Sequence, residues 1–195
     1  MRTLLLFRGA PGCGKSTYIK EHNLEQYVLS ADTLRLMCQS AQETPAGQME
    51  ISPQNDDVVW EMLFKLLEVR MSHGEFTVID ATNSKTVEMN RYKNLAKQYR
   101  YRMYVIDMTD LPIEECKRRN AQREWLKRVP EAAIDKMYAR FATQKVPSGV
   151  TVLPSTTDVM SDLNYCPNDF NQWKKIHVIG DVHGCYTCLS EYLVR

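Results

Sequence analysis

The chain has 195 residues, 44% of them hydrophobic, enough to bury one good core with length left for a linker or a second fragment. Its 25 lysines and arginines nearly cancel its 24 aspartates and glutamates, which argues against a protein held on long polyanions by a global field and leaves any such contact to a local patch. The apolar run 4–7 is too short for a signal peptide, no stretch reaches the length that spans a bilayer, and the six cysteines are scattered, so we expect a cytoplasmic protein with no membrane partner.

Residues 3–8 form an apolar run bounded by glycine and read as a buried strand, followed by a loop and a helix over 14–21. Residues 27–30 read as a second short strand, after which Asp32 is placed to cap a helix carrying Leu34, Leu36 and Met37. From 39 to 55 the chain turns polar, with Pro45, Gly47 and Pro53, and reads as a mobile loop able to cover a substrate. Val58, Val59, Met62, Leu63, Leu66 and Leu67 recur at helical spacing, and Gly74 closes that helix before a strand over 76–79 that ends at Asp80. A helix over 86–98, a strand over 101–108, a helix over 112–122 opened by Pro112 and a helical segment over 130–144 follow. Such alternation predicts an α/β fold, a mainly parallel sheet with helices on both faces, whose ligands sit outside the carboxyl ends of the strands. Gly9, Asp32 and Asp80 all fall there.

Past 147 the sequence is rich in Ser, Thr, Asn, Asp and Pro and reads as a last short strand and then a linker. The expected organisation is one domain over 1–155, a linker over 156–173, and over 174–195 the first strand and helix of a second domain that breaks off. Cys185 and Cys188 form a CxxC, but a zinc site usually needs a second ligand pair and only Cys166 and His183 stand near in sequence, so no zinc site is expected.

The strongest chemical signal is Gly9-Ala10-Pro11-Gly12-Cys13-Gly14-Lys15-Ser16, with Thr17 behind it, which fits GxxxxGK[ST] between a strand and a helix. Glycines let successive N–H groups wrap phosphates at a helix amino terminus, Lys15 neutralises the β and γ oxygens, and the Ser16 hydroxyl can bind Mg²⁺. The P-loop NTPase fold with ATP, or another NTP, and Mg²⁺ is therefore expected. Asp32, at a strand end, could take the proton of an attacking hydroxyl while Arg35, three residues on, holds an acceptor phosphate. On spacing alone the pair reads equally as a helix cap and an exposed arginine. Arg118, Arg119, Arg123, Lys127 and Arg128 form the densest basic run, with Arg119 and Arg123 expected on one helical face. They read as a lid over the triphosphate, against the alternative of a solvated helix face.

Taken together, these residues make the first 150 or so positions resemble the 5′-kinase domain of the phage and bacterial polynucleotide kinases. Ser30-Ala31-Asp32-Thr33-Leu34-Arg35 is similar to the segment with that family's base and acceptor-binding arginine, and Val78-Ile79-Asp80-Ala81-Thr82-Asn83 to its third-strand motif. Arg119-Asn120-Ala121-Gln122-Arg123, followed by Val129-Pro130 and Met137-Tyr138, resembles its lid, with one apparent extra residue between Arg123 and Val129. The resemblance implies that Lys15 and Ser16 bind phosphate and Mg²⁺, Asp32 acts as base, Arg35 holds the acceptor's 3′-side phosphate, and Arg119 and Arg123 grip the donor. It leaves Asp80 either at the metal and acceptor site or as the cap of a strand end, and Asn83 as supporting structure.

Gly180-Asp181-Val182-His183-Gly184-Cys185 resembles the first metal motif of calcineurin-like binuclear phosphoesterases, in which the aspartate and histidine bind Mn²⁺- or Ni²⁺-type metal. Two ligands alone should hold metal poorly, so no phosphatase activity is expected from this sequence. The motif order suits bacterial end-healing of nucleic acids. The expected partners are 5′-hydroxyl RNA or DNA ends, with a phosphatase or ligase as a possible further domain. The rival readings are a kinase of small molecules or of aminoacyl-tRNA, and a non-catalytic nucleotide-binding regulatory module.

Overall fold

Thr3–Arg8 (β1) is buried over all six residues, as a strand covered on both faces must be. The computed structural model describes residues 2–43, 47, 49–163 and 189–190, and places β1 at the centre of a five-stranded sheet. After it come α1 (Lys15–Glu21), β2 (Val28–Ser30), α2 (Ala31–Cys38), β3 (Gln42–Glu43), β4 (Met49–Glu50), α3 (Asp56–Ser72), β5 (Thr77–Asp80) and α4 (Thr86–Gln98). The chain continues through β6 (Arg102–Asp107), α5 (Ile113–Ala121), α6 (Glu131–Thr143), β7 (Thr151–Pro154) and α7 (Val159–Asp162). The sheet runs β2-β5-β1-β6-β7 with every pairing parallel. Ser30 therefore lies opposite Asp80, and Arg8 opposite Asp107, so that the carboxyl ends of four strands share one edge.

Alternation along β1 divides the core in two. Leu4 and Leu6 face a layer built by α3 and α4, where Val59, Leu63, Leu67 and Met71, each four residues from the last, are fully buried. Leu5 and Phe7 face the other layer, with Tyr18 and Ile19 of α1, Ile134 of α6 and Val159 of α7. Among the described residues no helix is long and apolar enough to cross a membrane.

Three stretches differ from the sequence-based expectation. The expected loop over 39–55 contains the antiparallel ribbon β3–β4, in which Gln42 pairs with Glu50 and Glu43 with Met49. Asp32 is not the cap of α2: Ser30 holds that place, its Oγ accepting from the Thr33 N–H at 3.4 Å, and Asp32 sits inside the first turn. Residues 157–162, expected within a linker, pack on the sheet layer: Val159 is fully buried, and the Tyr18 hydroxyl donates to the Thr157 carbonyl. Burial pushes the Tyr18 phenol up to about 12, so it remains a donor throughout the physiological range. The chain divides into two units, Met1–Tyr165 and Cys166–Arg195. The expected strand over 174–179 and the motif with Asp181 and His183 lie outside the described residues.

One buried cation ties β1 to the end of α6. Arg8 is 5% exposed; its Nη1 pairs with Asp107 Oδ2 at 2.8 Å, and its Nη2 donates to the carbonyls of Phe141 and Gln144 at 3.2 and 2.6 Å. Those carbonyls end α6, where a helix carries partial negative charge, so the guanidinium satisfies acceptors that would otherwise be orphaned. Arg8→Met should cost about 3 kcal/mol, the low end for a broken buried pair because Asp107 keeps some solvent. Urea unfolding measures this, and a loss below about 1 kcal/mol would refute the argument.

Candidate active site

The loop between β1 and α1 is shaped by glycines where their freedom is required. Gly12 has φ +85°, and a Cβ there would lie 2.2 Å from the Cys116 carbonyl oxygen of α5. Gly14, at φ +109°, is the residue from which α1 starts. The loop is fastened from below: Gly9 N–H donates to the Thr82 carbonyl at 3.2 Å, and the buried Asn83 amide donates to the Phe7 carbonyl at 2.6 Å. Asn83 adopts φ 44°, a left-handed turn that brings the segment after β5 under the loop. Lys15 folds back, its Nζ donating to the Gly9 and Ala10 carbonyls at 2.8 and 2.9 Å.

Above this loop opens a cleft of about 510 Å³. Its floor is Pro11, Gly12, Gly14, Lys15, Ser16 and Thr17; Asp32, Arg35 and Trp60 of α2 and α3 line it, as do Arg119, Arg123 and Lys127 from α5 and the segment after it. Asp80, Ala81 and Thr82, at the end of β5, complete the lining with Val129 and Met137. Gly9, Ala10 and Cys13 of the predicted loop do not line the cleft. Ala10 and Cys13 are buried, and Gly9 and Ala10 act through the carbonyls that receive Lys15.

Asp32 is more than half exposed, whereas Arg35 is largely covered and joined to two carboxylates. Its Nη1 meets Asp32 Oδ1 at 2.6 Å and its Nε meets Asp56 Oδ1 at 2.7 Å. Burial works against the guanidinium's charge, but the hydrogen bond and field of Asp56, then those of Asp32, outweigh it and hold the group above its ordinary pKa. Asp80 is held above the usual carboxylate range by burial; Lys15, Arg123 and Lys127 pull it down, and Asp32 adds to the rise. That mutual influence places the three cations and two carboxylates in one electrostatic neighbourhood.

The basic run divides. α5 ends at Ala121, so Arg123 does not share a helical face with Arg119; it reaches the cleft through the turn that follows, its N–H bonded to the Asn120 carbonyl at 3.2 Å. Lys127 reaches the cleft from a 3₁₀ turn over Trp125–Lys127. Arg118 points to Glu115, and Arg128 lines a separate cavity beside Met49 and Trp125. Glu115 accepts from both Arg118 and Arg119, and these bonds draw its carboxyl down to about 2. Arg119 therefore rests against a carboxylate that its own bond and that of Arg118 keep ionised at neutral pH, while Arg123 has no ion-pair partner among the described residues.

Asp56, Trp60 and Thr82 went unpredicted. The first two stand four residues apart at the start of α3, a signal of shared face, but nothing in the sequence says which helix they approach. Ser16 lines the cleft near Asp80, and among the described residues no group of three or more His, Cys, Asp or Glu side chains could cage a metal. This donor set fits Mg²⁺ carried in with phosphate oxygens and water, with Ser16 as the hydroxyl ligand.

The sequence of residues 4–144 matches the model of an AAA domain family, AAA_33. The chain belongs to this AAA domain family. No curated protein matches the AAA domain chain. Among solved structures, a candidate kinase of Chloroflexus aurantiacus J-10-fl superposes at TM-score 0.54 with 16% identity, over 83% of this chain and 92% of that one. Kti12 of Chaetomium thermophilum, in complex with ADP-AlF3, does so at 0.52 with 15% identity, over 77% and 88%. The AAA domain thus shares its fold, a mainly parallel five-stranded sheet flanked by helices, with these structures. A structure of the Pnkp1/Rnl/Hen1 complex aligns with 25% identity over 60% of this chain and 38% of that one, at TM-score 0.49, too loosely to bear on the argument.

Proposed function

We propose that this protein is a polynucleotide 5′-hydroxyl kinase, which transfers the γ-phosphate of ATP to the 5′-hydroxyl end of RNA or DNA. The observation that carries the reading is the pairing of Arg35 with Asp32, at 2.6 Å, in the wall of the same cleft whose floor is the phosphate-binding loop. A carboxylate there can receive a hydroxyl proton, and a guanidinium beside it suits an acceptor that brings its own phosphate.

In the reaction the 5′-oxygen attacks the γ-phosphorus in line, its bond to phosphorus forms as the bond to the β,γ-bridging oxygen breaks, and its proton passes to Asp32. ADP leaves, and no covalent enzyme intermediate forms. Lys15 moves from the loop carbonyls to the β and γ oxygens, and the N–H groups from Gly12 to Ser16 hold the same phosphates. Arg119, Arg123 and Lys127 approach from the lid side and neutralise the charge that builds on the transferred group. Mg²⁺ held at Ser16 would supply further charge neutralisation.

The test is Mg²⁺-dependent transfer of label from γ-labelled ATP to 5′-hydroxyl RNA and DNA oligonucleotides, beside a free nucleoside, by wild type and Lys15→Ala. Label on oligonucleotides, reduced about 10³-fold or more in Lys15→Ala, is the expected result. Label on the nucleoside alone would move the protein to the small-molecule kinases, and ATP binding with no turnover on any acceptor would favour a regulatory module.

A further inference from the structure

We infer that Asp56 is a positioning residue for the acceptor site: it anchors Arg35 by Nε so that the guanidinium can exchange Asp32 for a phosphate of the acceptor without leaving the cleft. This rests on the proposed kinase reading, and it assigns a role to the first turn of α3, which no motif marks.

The argument is geometric. Arg35 reaches across from α2 and is gripped at two nitrogens by two helices, Nη1 by Asp32 within α2 and Nε by Asp56 of α3. Nη2 lies between these two contacts and has no acceptor among the described residues. With Asp32 as its only partner, the guanidinium would sit against the very carboxylate that must receive the proton, on a long side chain with several rotatable bonds. A second carboxylate at the opposite nitrogen removes that freedom. It keeps Nη1 and Nη2 together as a fork, the geometry that binds one phosphate through two hydrogen bonds. When the acceptor phosphate takes the fork, Asp32 is released to face the hydroxyl while Asp56 still holds the arginine.

Asp57 provides the control, because it stands in the same first turn of α3, is exposed, and makes none of the contacts to Arg35. Wild type, Asp56→Ala, Asp56→Asn and Asp57→Ala would be compared on a 5′-hydroxyl oligonucleotide, which carries a phosphate 3′ of its first nucleoside. Asp56→Ala should raise the oligonucleotide KM about 10- to 100-fold, the worth of a charge-assisted bond, with kcat at saturation within about 3-fold and the ATP KM unchanged. Asp56→Asn should recover most of the loss, since its amide oxygen still accepts from Nε, and Asp57→Ala should match wild type. An unchanged KM in Asp56→Ala overturns the inference, as does an equal rise in Asp57→Ala or a parallel rise in the ATP KM.

Should wild type phosphorylate no oligonucleotide, the kinase reading falls, and the anchoring is then judged by NMR of the Arg35 Nε–H group together with calorimetric binding of 3′-AMP. An Nε–H signal sharp in wild type and Asp57→Ala but broadened by solvent exchange in Asp56→Ala, with weakened 3′-AMP binding, supports it. A signal and an affinity indifferent to Asp56 overturn it.

Discussion

Asp32→Asn is expected to lower kcat for phosphate transfer by about 10²- to 10⁴-fold while the affinity for ATP changes by less than about 3-fold. The amide keeps the size of the carboxylate and can still accept from Arg35 Nη1, which lies 2.6 Å from Asp32 Oδ1, so the wall of the cleft should keep its shape. What disappears is the ability to take a proton, and that is needed only as the hydroxyl attacks. In the proposed reaction the nucleotide is gripped elsewhere, by the loop and by Arg119, Arg123 and Lys127, so its binding should not register the change. Single-turnover transfer and calorimetric ATP binding, measured on the same preparation, check the two halves. Equal losses of both would make Asp32 a structural partner of Arg35 and end its role as a base.

Gly12→Ala should be worse tolerated than Gly14→Ala, although both glycines belong to the same loop and both have positive φ. A Cβ on Gly12 meets the Cys116 carbonyl at 2.2 Å, with the Asn120 nitrogen at 3.2 Å, so the loop and α5 would have to separate. A Cβ on Gly14 meets nothing within 4 Å and carries only backbone strain. Left-handed strain with overpacking of backbone against backbone adds up to a loss of about 2–5 kcal/mol for Gly12→Ala, against about 1–2 kcal/mol for Gly14→Ala. Because α5 runs into the turn that carries Arg123, the first variant should also lose ATP binding outright. Denaturant midpoints of the two variants decide it, and a Gly12→Ala protein as stable as Gly14→Ala would mean that α5 moves away freely.

The elements with one dominant local signal were readable from the sequence. α4 runs over Thr86–Gln98, the range its composition predicted, because its boundaries lie in its own residues: Glu88 receives the Lys85 N–H, and Leu95 and Ala96 close the buried stripe. β1 was equally plain, a run of apolar residues with no polar alternation. Less was legible where two signals competed. Ser30 and Asp32 are both good caps, and which one ends up at the boundary depends on where β2 stops, which its pairing with β5 decides. In the basic run, charge was visible but direction was not, since Arg118, Arg119 and Arg123 differ only in how the end of α5 turns.

The sequence by itself therefore determined the phosphate-binding loop, the α/β order of elements and the carboxylates and arginines that could do chemistry, because each of these is encoded by residue types at short, fixed separations. Tertiary structure alone decided that Asp56 grips Arg35 across 21 residues and that Lys127 reaches the cleft while Arg128 turns away. It also decided that the α5 backbone closes on Gly12. The physical reason is one of range: helix periodicity and turn chemistry act over a few residues. Which side chains share a cleft is settled by the parallel sheet, which brings the ends of β1, β2 and β5 to one edge from positions far apart in the chain.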